Sequence, residues 1–169
     1  DYRERSFDLS VERAVVVGVG NVAMDVARIL ARTCAELTGT DIASYALDAL
    51  DLSKVREIVV LGRRGPAQAA FTPAELKELG EMTDAEVIVA PEDAAIDPLS
   101  AKWLATANDR DAEKNLALLK TYSEQPVQGK PRRIVFKFLA SPLEIKGDGR
   151  VQSVVIGRNT LVKRDDGSL

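Results

Sequence analysis

An apolar run that stops abruptly on glycine constrains this chain more than any other feature in it. Ala14-Val15-Val16-Val17 leads directly into Gly18-Val19-Gly20-Asn21-Val22-Ala23. A short continuous apolar stretch reads as a strand buried on both faces. From Asn21 the period becomes helical, with Val22, Val26, Ile29 and Leu30 as the apolar stripe and Arg28 and Arg32 on the other side. Strand, glycine turn and helix in this order match the G-x-G-x-x-A fingerprint of a dinucleotide-binding turn. Gly18 permits the tight turn, Gly20 lets backbone N–H groups approach a pyrophosphate, and Ala23 lets helix and strand pack closely. The helix N-terminus adds partial positive charge. The competing reading is a turn of the same shape kept only for packing.

Composition narrows the fold around this motif. The 169 residues suit one domain, and with only 5% aromatics and one Trp the core must come mainly from Val, Leu, Ile and Ala. An α/β fold is expected. Lys and Arg number 23 against 26 Asp and Glu, so no basic excess points to nucleic acid. The chain has one cysteine, Cys34, and no histidine. That excludes an internal disulfide, a His-based zinc site and nucleophilic catalysis with a histidine base. No metal site and no catalytic side chain are therefore assigned. No apolar run approaches the ~18 residues of a membrane span. The start, Asp1-Tyr2-Arg3-Glu4-Arg5, is unlike a signal peptide and suits a linker, and the absence of an initial Met fits an excised piece. The expectation is a soluble protein of a reducing compartment, the cytoplasm or, in a eukaryote, the mitochondrial matrix.

The rest of the chain alternates in the same manner. Residues 33–55 read as a second short helix inserted before the strand Glu57-Ile58-Val59-Val60-Leu61, which closes on Gly62-Arg63-Arg64-Gly65-Pro66. Thr72-Pro73-Ala74-Glu75 has a Thr N-cap, Pro at N1 and Glu at N3, a capping box that starts a helix ending near Gly80. Glu86-Val87-Ile88-Val89-Ala90 reads as a third parallel strand, and the polar, Pro-containing stretch to Pro98 leads into one or two helices reaching about Glu124. Ile134 to Leu139, Leu143 to Lys146 and Val151 to Ile156, with a Gly147-Asp148-Gly149 turn, read as an antiparallel meander. The chain stops in the turn Asp165-Asp166-Gly167-Ser168-Leu169, after which a further strand would be expected.

The choice of dinucleotide depends on the residues at the end of the second strand. An acid about 20 residues on favours NAD, and an arginine favours the 2′-phosphate of NADP. Asp41 has that spacing but terminates no buried strand, whereas Ile58 to Leu61 ends in Arg63-Arg64. Two guanidiniums can give a phosphate forked, charge-assisted hydrogen bonds and can stack on the adenine. NADP is the expected ligand, against the alternative of a solvated basic turn. Glu75 reads as a helix cap that leaves a cofactor contact open. Asp25 reads as a first-turn acid on the helix dipole, Cys34 as an inert core thiol, and Lys130, Arg132, Arg133 and Lys137 as a solvated face.

These blocks carry a resemblance. Val15 to Leu30 with the fingerprint and Met24-Asp25, then Gly62-Arg63-Arg64-Gly65-Pro66 and Phe71-Thr72-Pro73-Ala74-Glu75-Leu76, resemble the NADP-binding domain of the adrenodoxin reductase type of ferredoxin–NADP reductases. Phe138-Leu139-Ala140-Ser141-Pro142 is similar to that family's meander, and the helices between Pro91 and Glu124 match least. The resemblance implies a Rossmann-like parallel sheet with flanking helices and a small antiparallel meander. It also implies a flavoprotein in which FAD, on a separate and larger domain, passes electrons between NADPH and a ferredoxin-like iron–sulfur protein. Residues 1–169 would be the NADP half, inactive alone.

Carried over, Gly18, Val19, Gly20, Asn21 and Val22 would line the pyrophosphate, Arg63 and Arg64 would hold the 2′-phosphate, and Glu75 would be a further NADP contact. The family usually has Gln or Asn where this chain has Val19, which leaves only backbone contacts there. Three alternatives remain: an NADP domain like that of the glutamate synthase small subunit, a non-catalytic NADP sensor, and a structural Rossmann-like interaction domain.

Overall fold

A computed structural model describes residues 8–165. The charged start at Asp1 to Arg5 and the closing turn from Asp166 onward lie outside the described residues. Four parallel strands form the main sheet: β1 (Arg13–Val17), β2 (Glu57–Leu61), β3 (Ala85–Val89) and β4 (Arg132–Lys137). Their order across the sheet is β1-β2-β4-β3. The helices are α1 (Asn21–Ala31), α2 (Cys34–Leu37), α3 (Ser44–Asp51), α4 (Pro73–Gly80), α5 (Pro91–Ala94), α6 (Pro98–Ala107) and α7 (Arg110–Glu124). Strands β5 (Ala140–Lys146) and β6 (Ser153–Arg158) pair antiparallel as a separate hairpin. The parallel sheet, flanking helices and small antiparallel piece all match the expected class.

Ile134 to Leu139 departs from the expected meander. Its residues up to Lys137 belong to β4, in parallel register with β2 (Ile58 beside Ile134, Val60 beside Phe136) and with β3 (Val87 beside Ile134). The reason is burial: Ile134 and Phe136 are fully buried in the core, and only a central strand offers a neighbour on each edge. The chain reaches that position through α7, a crossover that a hairpin link could not provide. After Phe138 the backbone turns sharply at Leu139, with φ of 50°, and β5 begins.

One face of the sheet carries the core. Ile58, Val60, Ile134, Phe136 and Val89 point toward α1, α4 and α7, which add Met24, Ala27, Leu76, Leu79 and Leu119. Phe136 meets Phe71 edge-on at 5.9 Å and stacks on Phe138 at 6.0 Å. The opposite face stays open as a groove of about 1200 Å³ lined by Val15, Val59 and Val135, with Val154 and Ile156 of the hairpin across it. Consequently β1 is not buried on both faces as expected: Val15 is 37% and Val17 63% exposed.

The first helix also turns a different face inward. Ala23, Met24, Ala27 and Ala31 are buried, while Val22 is 76% exposed and Val26 and Ile29 are exposed too. Small side chains let the helix axis approach the sheet, so the close-packing role of Ala23 extends along a whole stripe. The segment 33–55 forms two short helices rather than one, the first opened by a full capping box of Thr33 and Glu36. Two helices, α6 and α7, run from Pro98 to Glu124 as expected, and the short α5 lies in the stretch before them.

Buried carboxylates tie the layers together. Asp93 accepts from the Phe138 N–H at 2.9 Å and from Lys137 Nζ at 2.9 Å, and faces Arg158 of the hairpin at 3.6 Å. Glu86 accepts from the backbone N–H groups of Gln128, Gly129 and Lys130, which fixes the entry to β4. Glu57 bridges Arg13 on β1 and Arg133 on β4, its neighbours in register. The basic group expected to be a solvated face is in fact engaged: Lys130 donates to the Met82 carbonyl, Arg132 to the Arg32 carbonyl, and Arg133 and Lys137 pair as above. Cys34 is half-buried rather than in the core. Its thiol is pushed up by burial and by Asp51 and Asp48, with Arg132 opposing, which suits an unreactive thiol.

Replacing Phe136 by Ala should cost about 3–5 kcal/mol in urea unfolding, because it removes the ring on which two others pack. Partial burial pushes the Glu57 carboxyl up, but Arg13 and Arg133 outweigh it and hold the group below the usual glutamate range. A depressed folded pKa adds stability that is present above the unfolded pKa and lost as pH falls through the folded one. The urea midpoint should therefore drop on acidification through that range, and Glu57→Gln should flatten this part of the profile.

Candidate functional site at the carboxyl ends of β1 and β2

The two turns expected to form a cofactor site lie side by side because their strands are parallel neighbours in register, Val17 beside Leu61. Gly18 N–H donates to the Leu61 carbonyl at 2.9 Å and locks the turns together. Gly18 has φ of +132°, a conformation that requires glycine. Gly20 is different. Its φ is −109° and a Cβ there would meet nothing within 4 Å, so neither backbone nor packing demands glycine. The missing side chain keeps clear the space above the turn, which is where a pyrophosphate would approach.

Helix α1 starts with Gly20 as its N-cap and no side-chain cap. Asn21 N–H faces the Ala70 carbonyl across the parallel bridge of Gly20 with Ala70, whereas among the described residues the Val22 N–H has no acceptor, so the helix presents a free donor and its positive dipole end to that space. Val19 accounts for its own apolar identity. A Cβ on Gly62 would come within 3.0 Å of Val19 Cγ1, and Val19 packs on the core, so its side chain is committed inward. Asn21 uses its side chain in the protein: Oδ1 accepts from the Thr72 N–H at 2.9 Å. The turn is further tied to the segment before α4 by Ala70 N–H donating to the Val19 carbonyl at 2.8 Å.

Arg63 and Arg64 are exposed, and among the described residues neither side chain forms an ion pair. Their backbones, by contrast, are clamped. The Arg63 carbonyl accepts from Asn159 Nδ2 at 2.7 Å and the Arg64 carbonyl from the Leu139 N–H at 3.0 Å. Two free guanidiniums on a fixed turn beside a helix N-terminus offer the charge and the forked donors that suit a polyanion. Asp41 lies exposed between α2 and α3, at the end of no strand, in keeping with its setting in the sequence.

The cap of α4 is half of the expected box. Thr72 Oγ1 accepts from the Glu75 N–H at 3.3 Å, but the Glu75 carboxylate does not return to Thr72. It turns instead to Arg28 on α1, with Oε2 at 3.0 Å from NH1. Asp25 is in the second turn of α1, not the first, and also pairs with Arg28. The helical period places Arg28 on the solvent side of α1, and only the docking of α1 on α4 reveals its role. Asn159, 96 positions from the carbonyl it holds, carries no local signal at all.

The sequence and the fold have counterparts among known proteins. No protein-family model matches the chain. The NADPH-ferredoxin reductase FprA of Mycobacterium leprae is 45% identical over 167 residues, 99% of this chain and 36% of the relative. The mitochondrial NADPH:adrenodoxin oxidoreductase of Arabidopsis thaliana is 38% identical over 148 residues, 84% of this chain and 30% of its own length. The solved structure of Mycobacterium tuberculosis FprA in complex with NADPH matches with a TM-score of 0.90 at 43% identity, over 98% of this chain and 36% of that one. The chain is homologous to a segment of the adrenodoxin reductase-type ferredoxin–NADP reductases. It spans about a third of the length of the curated reductases it matches. Among the described residues no group of His, Cys, Asp and Glu is placed to hold a metal ion, and no helix is long and apolar enough to cross a membrane.

The two fingerprint glycines of this chain should separate under substitution. Gly18→Ala should destabilise the chain by about 1–3 kcal/mol through backbone strain. Gly20→Ala should cost less, at most about 1 kcal/mol, because only the poorer N-cap is introduced. Equal losses would mean that Gly20 is needed by the fold itself.

Proposed function

We propose that residues 1–169 are the NADP-binding domain of a larger flavoprotein that passes electrons between NADPH and a ferredoxin-like iron–sulfur protein. The carrying observation is the pair Arg63 and Arg64, free in their side chains and fixed in their backbones, beside a turn whose Gly20 leaves room for a ligand. The names of the relatives, NADPH-ferredoxin reductase and NADPH:adrenodoxin oxidoreductase, support the same reading.

On this reading Gly18, Val19 and Gly20 form the pyrophosphate turn through their backbone, Asn21 lines it, and the free N–H of Val22 donates to it. Arg63 and Arg64 hold the 2′-phosphate, and Glu75 supplies a further contact. FAD, on the remainder of the protein, supplies the hydride exchange with the nicotinamide. This chain contributes position rather than acid–base chemistry, which fits a sequence with no histidine. A lone cysteine fits a reducing compartment, the cytoplasm or, in a eukaryote, the mitochondrial matrix.

Calorimetric titration with NADP⁺ and separately NAD⁺, at fixed salt, tests the reading. NADP⁺ should bind in preference. Replacing Arg63 and Arg64 together by Ala should weaken NADP⁺ by about 100-fold or more, from roughly 1.5–3 kcal/mol per charged hydrogen-bonding group, while NAD⁺ changes little. An equal loss for both nucleotides would contradict the 2′-phosphate assignment, and no binding of either by the unsubstituted chain would contradict the site.

A further inference from the structure

Arg28 lies in α1 with its side chain only 16% exposed and three carboxylates around its guanidinium. Asp25 comes from the same helix, and Glu75 and Glu78 come from α4. The three acids are not equivalent. Asp25 and Glu78 are each 50% exposed, whereas Glu75 is 25% exposed. Glu75 Oε2 is buried and, although 3.0 Å from Arg28 NH1, has no hydrogen-bond partner. Of the three, it alone sits in the first turn of α4, beside the Thr72 N–H that donates to Asn21 of the fingerprint turn.

We propose that Arg28 is a positioning residue that controls Glu75 at the edge of the nucleotide site, a proposal that rests on the NADP reading above. A dinucleotide phosphate brings several negative charges to the N-terminus of α1, and an unbalanced carboxylate nearby opposes it. Arg28 balances Glu75 and holds it. Because Oε2 is buried in an ion pair without a formed hydrogen bond, no hydrogen bond has to break for the carboxylate to turn outward and accept from a ribose hydroxyl of the bound nucleotide. Asp25 and Glu78 stay on Arg28 when Glu75 turns away, so the cation is never left buried without a partner. Arginine suits this role, since its fork serves several carboxylates at once where lysine presents one point charge.

The test titrates NADP⁺ into the chain and its variants Arg28→Gln, Glu75→Gln, the double variant and Arg28→Lys, with a thermal melt of each. Arg28→Gln should weaken NADP⁺ by roughly tenfold, within the range for coupled neighbouring charges. Adding Glu75→Gln should bring the double variant back to the affinity of Glu75→Gln alone. Arg28→Lys should show a smaller loss, again cancelled by Glu75→Gln, and serves as the comparison if Arg28→Gln does not fold. Additive losses, or affinities that track the melting temperatures, would make Arg28 a structural residue only and overturn the proposal. Failure of the unsubstituted chain to bind NADP⁺ would instead overturn the nucleotide reading on which it rests.

Discussion

The parallel pairing of β1 with β2 is the interaction on which the rest of the site depends. Parallel strands in register end at the same level, so the turns after Val17 and Leu61 emerge together and Gly18 can donate to the Leu61 carbonyl. That one hydrogen bond sets the helix N-terminus beside the arginine turn and Val19 over Gly62. An antiparallel neighbour would have put the arginines at the opposite end of the sheet from the glycines.

Around this pair the structure separates rigidity from availability. The backbones of Arg63 and Arg64 are held by Asn159 and Leu139, which belong to the hairpin region, and the hairpin is pinned to the sheet near the buried Asp93. The arginine side chains are left to solvent. Likewise Asn21 spends its side-chain oxygen on Thr72, while the N–H of Val22 has no acceptor among the described residues. Groups that shape the site are committed within the protein, and groups suited to an anion are not. The antiparallel hairpin, remote in sequence from the fingerprint, is thereby part of what fixes the arginine turn.

The helix α1 illustrates why apolar period alone misjudges burial. Val22, Val26 and Ile29 form the more hydrophobic stripe, yet Ala23, Met24, Ala27 and Ala31 face the sheet. The fingerprint turn sets the rotation of the helix as it leaves the strand, and close approach rewards small side chains over large ones. The valine and isoleucine side chains remain exposed together with Val15 and Val17 of β1. In the reductases it resembles, this segment is joined to roughly twice its own length of further chain.

The sequence by itself determined the elements whose demands are local: a strand ending on glycines, a helix opened by Thr72 and Pro73, and an arginine pair at a strand end. Backbone conformation, capping and residue spacing act over a few positions, so they are legible without the fold. Tertiary structure decided what depends on surfaces meeting from far along the chain. It put β4 between β2 and β3, where two edges needed a partner, and drew Glu75 away from its own cap to Arg28. It also fixed the arginine turn through Asn159. Burial and ion pairing are properties of the assembled layers, and no window of sequence contains both sides of such a contact.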